Sequence, residues 1–429
     1  MVRKLTAAAA ALATLTVSCA PPTQTPMKVR ALVLSSNGEY APTEVELKTI
    51  TDIVSMQGTV AKLQGGAFIR LDSQDPEANA AQTDEAYLRA VLKDEGRPVT
   101  ASYNTDTSGV LWPADFHTWN LVTTYYNLER AWDYFTTIAE VKQADLPQTT
   151  AYYFPEFVLA DRSDDPVVDN AIFLSPVKAF LVLPFKELQK APLALNASIL
   201  THEYAHLVFN RRVYEGRGVP DPIRYWGAVG GSTPGLNILK SLDEGLADFH
   251  AYVASCQTSY GCNPRVLATS YEGTLMENRD LSKNWCMSRE LYTQLYGGNF
   301  NTTFSGLEYQ VGTLLASALY KASTSAADRQ VLARAVVAAY SDTDPLKPGL
   351  AQLARATLDN QEYFKLGAAA RAIVRHIPRG NVTLKQAVCT NFATHLQIPV
   401  SEMTGTDEDS CPESTTTTSA CPSIYTIAP

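Results

Sequence analysis

Two histidines four residues apart, the first followed directly by a glutamate, sit in the apolar, helix-forming run Ile199-Leu200-Thr201-His202-Glu203-Tyr204-Ala205-His206-Leu207-Val208-Phe209. No other stretch constrains the fold so strongly. At about 3.6 residues per turn, His202 and His206 stack on one helix face, close enough for both imidazoles to hold one ion. Glu203 points beside that ion. In an H-E-x-x-H helix two neutral imidazoles bind zinc, and the glutamate takes a proton from a water that the metal polarises. The chain has six histidines in 429 residues, so a chance match is improbable.

The helix is predicted to start near Pro192 or Asn196 and to stop before the breaker cluster Gly216-Arg217-Gly218-Val219-Pro220. A Gly- and Pro-rich loop follows through Gly230-Gly231, and Ser232-Thr233-Pro234 then reads as the cap and first turn of a helix reaching Cys256. That helix carries Glu244 and Asp248, four apart and on one face. A catalytic zinc takes three protein ligands, so Glu244 is the candidate third ligand, with Asp248 accepting the spare N–H of one ligand histidine. The competing reading, a Ser241–Glu244 capping box, fails for a helix that begins at Pro234, because Glu244 is then deep inside it.

Together His202-Glu203-Tyr204-Ala205-His206, running on to Asn210-Arg211, and Glu244-Gly245-Leu246-Ala247-Asp248-Phe249 resemble the gluzincin metallopeptidases. The thermolysin and fungalysin families and the zinc aminopeptidases share this H-E-x-x-H…E-x-x-x-D pattern, and the wording is nearest the fungalysins. The resemblance implies zinc on His202, His206 and Glu244, Glu203 as general base, and Asp248 behind a ligand histidine. It spans only about Ala197 to Phe249. Two departures stand out: a longer interval between His206 and Glu244, and Asp243 where asparagine usually precedes the third ligand. Tyr309, in Tyr309-Gln310-Val311-Gly312, resembles the Tyr-x-x-Gly of the zinc aminopeptidases and is the candidate oxyanion donor, against the background of 21 tyrosines. His250 is expected to face away from the ligand side, and His117, His376 and His395 have no ligand-spaced neighbours.

The resemblance implies an α+β, zincin-type fold. An N-terminal lobe of sheet plus helix carries His202 and His206, and a mostly helical C-terminal lobe carries Glu244. Along the chain the expected division is a signal peptide at 1–18, a lipidated tether at 19–43 and a β-rich region or pro-region at 44–110. The histidine-bearing lobe then covers 111–231, the helical lobe 232–400 and a Thr-rich tail 401–429. An amphipathic helix is expected between Phe116 and Val141 with Trp119, Val122, Tyr126, Leu128, Trp132 and Phe135 in its core stripe. Ala171 to Phe185 reads as one or two strands, Pro176 and Pro184 favouring edges or ends, so that one could pair with an extended peptide.

Met1-Val2-Arg3-Lys4 and the Ala/Leu-rich run to Val17 read as an export signal, and Leu15-Thr16-Val17-Ser18-Cys19 as a lipoprotein site, with ordinary signal-peptidase cleavage as the alternative. The remaining Cys256, Cys262, Cys286, Cys389, Cys411 and Cys421 suggest disulfides. Short separations favour Cys256–Cys262 and Cys411–Cys421, leaving Cys286–Cys389. A net charge of −9 argues against nucleic acid or an anionic membrane surface as partner.

The expected function is zinc-dependent peptide hydrolysis on a peptide or protein substrate, by an exported chain that touches the membrane only through a lipid on Cys19. Alternatives are an inactive surface lipoprotein that keeps the fold as a binding module, and a zinc hydrolase of an ester or cell-wall amide.

Overall fold

The computed structural model describes residues 26–186, 191–214, 234–265, 279–296, 307–341, 347–360, 365–404, 409–416 and 421–423. The fold is α+β, with sheets in the N-terminal part and helices in the C-terminal part, as the sequence predicts. The principal sheet runs in the order Ala171–Leu174, Ala179–Val182, Thr149–Tyr153, Ala61–Gly65, Gln57–Gly58 and Ile50–Asp52. Ala179–Val182, Thr149–Tyr153 and Ala61–Gly65 are parallel to one another, whereas Gln57–Gly58 joins antiparallel and Ala171–Leu174 pairs antiparallel and forms an edge.

Side chains alternate across a pleated strand, and this sheet uses both faces. Ala151, Tyr153 and Phe180 join the main core, while Tyr152, Ala179 and Leu181 pack into a smaller one with Ala90 and Val91 of the helix Asp84–Val91. Burial on both faces explains why Ala179–Val182 is entirely apolar. The main core is continuous from Val29 to Cys411, so the sheet and the C-terminal helices share one interior.

The amphipathic helix spans Phe116–Thr137, capped by the Asp115 side chain on Thr118 N. Its buried stripe is Leu121, Val122, Tyr125, Leu128, Ala131, Tyr134 and Phe135. Val122, Leu128 and Phe135 are core as expected, but Tyr125 takes the place assigned to Tyr126, which lies at the margin with Trp119 and Trp132. The Tyr125 hydroxyl lies 2.9 Å from Thr49 Oγ1, next to the buried Glu129, whose carboxylate accepts from the Lys48 and Thr49 N–H groups. That polar anchorage decides between neighbouring tyrosines, and hydrophobic periodicity does not register it.

Two boundaries move. The folded body begins by Met27, because Met27–Leu34 pairs antiparallel with Tyr40–Leu47 inside the stretch read as a tether. Within 44–110, Ala61–Gly65 lies in the middle of the principal sheet, so this region is woven into the fold rather than appended to it. The segments 1–18 and Cys19 lie outside the described residues. Among the described residues no helix is long and apolar enough to cross a membrane.

The disulfides are Cys256–Cys262, Cys286–Cys421 and Cys389–Cys411, so the first expected pair forms and the other two exchange partners. Nearness in sequence misleads here because the chain after Met403 folds back on the helix Val382–His395, placing Cys411 at Cys389. The segment at Cys421 then runs beside Cys286, whose N–H donates to the Pro422 carbonyl. The tail is thereby stapled to the body at Cys411 and Cys421. Non-reducing peptide mapping is expected to recover these three pairs, and removing Cys389–Cys411, with its sequence separation of 22, is expected to cost about 3 kcal/mol in a denaturant titration.

Candidate metal centre

The histidine helix is Ala197–Phe209, with Asn196 as its N-cap: the side chain accepts from Ser198 N at 2.9 Å and Ile199 N at 3.1 Å. Its rotation is fixed from the side opposite the histidines. Tyr204 is stacked between Phe135 and Phe180, with centroids 5.7 and 5.6 Å away, which ties the helix to Phe116–Thr137 and to the sheet. His202 and His206 therefore face the other way, toward the helix Pro234–Ser255 that carries Glu244.

The two Nε2 atoms are 3.0 Å apart. Glu244 Oε2 completes a triangle at 3.4 Å from His202 Nε2 and 3.7 Å from His206 Nε2. Zinc bonds of about 2.0–2.1 Å in tetrahedral geometry put ligand atoms roughly 3.3 Å apart, close to these edges. Glu244 Oε2 is also buried without a hydrogen-bond partner, the Arg279 guanidinium reaching it only at ion-pair range, 3.7 Å, so the oxygen still has capacity for a bound cation. Each Nδ1 faces a carboxylate, Asp248 Oδ1 at 2.9 Å for His202 and Asp243 Oδ1 at 2.8 Å for His206. A carboxylate only accepts, so each Nδ1 carries the ring proton and both Nε2 lone pairs point at one spot. The donor set therefore fits a metal ion, and an oxygen of Glu203 is near enough to count among its possible donors.

Glu203 differs from Glu244 in how it is held. One oxygen accepts the N–H of Phe173, on the edge strand, at 2.6 Å, and the other is 4.0 Å from His202 Nε2. One oxygen is thus fixed by the sheet while its mate faces the imidazoles. Burial, the largest influence, raises the Glu203 pKa above the ordinary carboxylate value. Although burial also favours neutral Glu244, the imidazoles, His206 first, hold it well below that value.

Sequence reasoning placed His202, Glu203, His206, Glu244 and Asp248, and the fold brings all five together. It missed Arg279. This guanidinium grips Asp248 with both arms, Nη2 to Oδ1 at 2.7 Å and Nε to Oδ2 at 3.1 Å, and lies 3.7 Å from Glu244 Oε2. No motif surrounds it, so nothing in the sequence marks it. Asp243 had been registered only as a departure from the expected asparagine; it proves to be the partner of His206.

Tyr309 reaches the same site. It lies on the helix Leu307–Ala322, 39% exposed, its ring 4.9 Å from the Arg279 guanidinium, and the charge of Glu244 raises its phenol above the ordinary value. Gly312 shows why this tyrosine precedes a glycine. A Cβ there would come within 2.8 Å of Gly245 N and 2.9 Å of Ser241 O, and one on Gly245 within 2.3 Å of Gly312 O. The two helices cross backbone against backbone beside the third candidate ligand. A Lys240–Glu308 ion pair of 3.0 Å spans the same crossing.

The remaining histidines are elsewhere. His250 faces the core, where Nδ1 meets the Tyr134 hydroxyl at 2.8 Å and burial lowers its pKa to about 3. His117 pairs with the Tyr153 hydroxyl and His395 with the Trp285 carbonyl, while His376 follows the helix Leu366–Arg375 as its C-cap. The loop between Tyr214 and Pro234 lies outside the described residues. No protein-family model matches the chain, and no match to it was found among the curated proteins.

Two outcomes follow from this geometry. Burial and His206 oppose protonation of His202, but Asp248 and Glu244 outweigh them and raise its pKa above 6.5; His206, buried against Asp243 and Glu244, is raised further. In the metal-free chain, stability from these protons is complete below about pH 6.5 and is lost as pH rises through the raised values. Protons and metal compete for the same Nε2 atoms. The zinc-dependent rise in Tm, read by scanning fluorimetry, is therefore expected to be large at pH 8–9 and to shrink already above pH 6.5. Gly312→Ala is expected to cost about 1–3 kcal/mol in a denaturant titration and to weaken zinc binding, because the helices must separate beside Glu244.

Proposed function

We propose that the chain is a gluzincin-type zinc metallopeptidase that hydrolyses peptide bonds. The convergence of His202 Nε2, His206 Nε2 and the unpartnered Glu244 Oε2, with Glu203 alongside but tied to the sheet, carries this reading. Because one Glu203 oxygen is held by the Phe173 N–H, this fourth group is placed as a base beside the three ligands rather than as a further ligand. The long interval after His206 and the Asp243 substitution leave the ligand set intact.

His202, His206 and Glu244 would hold the zinc, and the bound metal would supply Lewis-acid polarisation of a water and the scissile carbonyl. Glu203 is the base. Its Phe173-bound oxygen fixes the carboxylate, its other oxygen takes the water proton, and its raised pKa suits it to pass that proton to the leaving amine. The Tyr309 phenol, kept protonated beside Glu244, donates to the developing oxyanion. Asp248 and Arg279 keep the His202 ring in its orientation.

The strand Ala171–Leu174 supports a peptide as substrate. It is the sheet edge beside the site, and with the Phe173 N–H held by Glu203 and the Ala171 N–H by Asn170 Oδ1, an extended chain would pair with it through the strand's outward carbonyls. Three disulfides accord with export, and the sequence at Ser18-Cys19 with a lipid anchor that would place the enzyme at a bacterial membrane surface.

Glu203→Gln is expected to retain zinc and lose peptide cleavage by about 10²- to 10⁴-fold. Mass spectrometry of the products from one long peptide provides the readout, internal cuts marking an endopeptidase and stepwise trimming an aminopeptidase. A zinc-loaded Glu203→Gln protein as fast as the parent would overturn the reading.

A further inference from the structure

The two candidate ligand histidines are backed by carboxylates that are not equivalent. Asp248, behind His202, is gripped by Arg279 through two hydrogen bonds, so its charge is already compensated. Asp243, behind His206 at 2.8 Å, has no cationic side chain within ion-pairing distance among the described residues; its only such contact is the imidazole itself. Its side chain is 16% exposed, so water screens it little. Both acids come from one helix and flank Glu244, which fixes their positions together.

We propose that Asp243 is a positioning residue that sets how tightly this site holds its metal, acting through His206. A carboxylate that accepts the Nδ1 proton fixes the ring and raises the electron density at Nε2, and the effect is greatest where no cation absorbs the carboxylate's charge. Asp248 orients His202 with its charge spent on Arg279; Asp243 orients His206 with a carboxylate that no cationic side chain among the described residues offsets. An asparagine in its place would keep an acceptor for Nδ1–H and remove the charge. This inference rests on the metallopeptidase reading of the site and adds to it which residue tunes metal retention.

The test compares Asp243→Asn, Asp243→Ala and Asp248→Asn in the full chain. Zinc affinity is measured by competition with a chelating dye, and melting temperature is measured without metal. Asp243→Asn is expected to lower zinc affinity at least about tenfold, with Asp243→Ala nearer the 100-fold end of the range for such partners, while at about pH 9, above the range in which the imidazole protons stabilise the metal-free chain, the metal-free melting temperature of Asp243→Asn stays at the parent value. Asp248→Asn, which strands Arg279, is expected to lower that temperature as well. Parental zinc affinity in Asp243→Asn, or a loss of affinity matched by a lower metal-free melting temperature, overturns the proposal while leaving the peptidase reading intact. Failure of the parent chain to bind zinc overturns both.

Discussion

Two imidazoles that direct their lone pairs at the same point repel each other unless something positive lies between them. That is the situation of His202 and His206, whose Nε2 atoms are 3.0 Å apart while both Nδ1 atoms are engaged by carboxylates. The arrangement is held from outside the site. Tyr204, clamped between Phe135 and Phe180, sets the rotation of the helix, and the Asn196 cap sets where it starts. Side chains on the far face thus commit the near face to a geometry that a bound cation, or in its absence a proton between the two Nε2 atoms, relaxes. Glu244, with its unpartnered buried oxygen, presses toward the same resolution.

The cost of assembling these charges is met by packing around them. Glu203, Asp243, Glu244 and Asp248 bring carboxylates into a poorly hydrated space, and Arg279 is the cation among the described side chains that answers them directly. Closing that space requires the helix bearing Tyr309 to lie against the helix bearing Glu244, and the Gly245–Gly312 crossing permits the approach. The Tyr-x-x-Gly spacing therefore has a physical meaning in this fold. The glycine brings the backbone close, and the tyrosine one turn earlier is carried to Arg279.

What the sequence revealed of the site was whatever a single helix determines. The pairs His202/His206 and Glu244/Asp248 follow from helical spacing, and each proves to share a face. Contacts made between elements left no local trace: Arg279 approaches Asp248 across 31 residues, and the Phe173 N–H reaches Glu203 from a strand. The fold shows the same division. Helices and strands were readable from periodicity, whereas the choice of Tyr125 over Tyr126 depends on the Thr49 and Glu129 contacts. The disulfide partners depend on how the chain doubles back after Met403.

The location of the donors also bears on what a metal would do to the fold. His202 and His206 belong to a helix packed against the sheet, and Glu244 to one packed against the C-terminal helix Leu307–Ala322. An ion bound by all three adds a further link between these two helices, beside the His206–Asp243 and His202–Asp248 contacts that already join them. Because the unfolded chain cannot present these atoms together, such an ion stabilises the folded state by about 2.7 kcal/mol when its free concentration is 100 times the Kd. That is a sizeable share of the 5–15 kcal/mol that typically separates folded from unfolded protein. In this architecture metal retention contributes to the stability of the loaded chain, so a substitution that weakens metal binding is expected to lower the stability of the zinc-loaded protein.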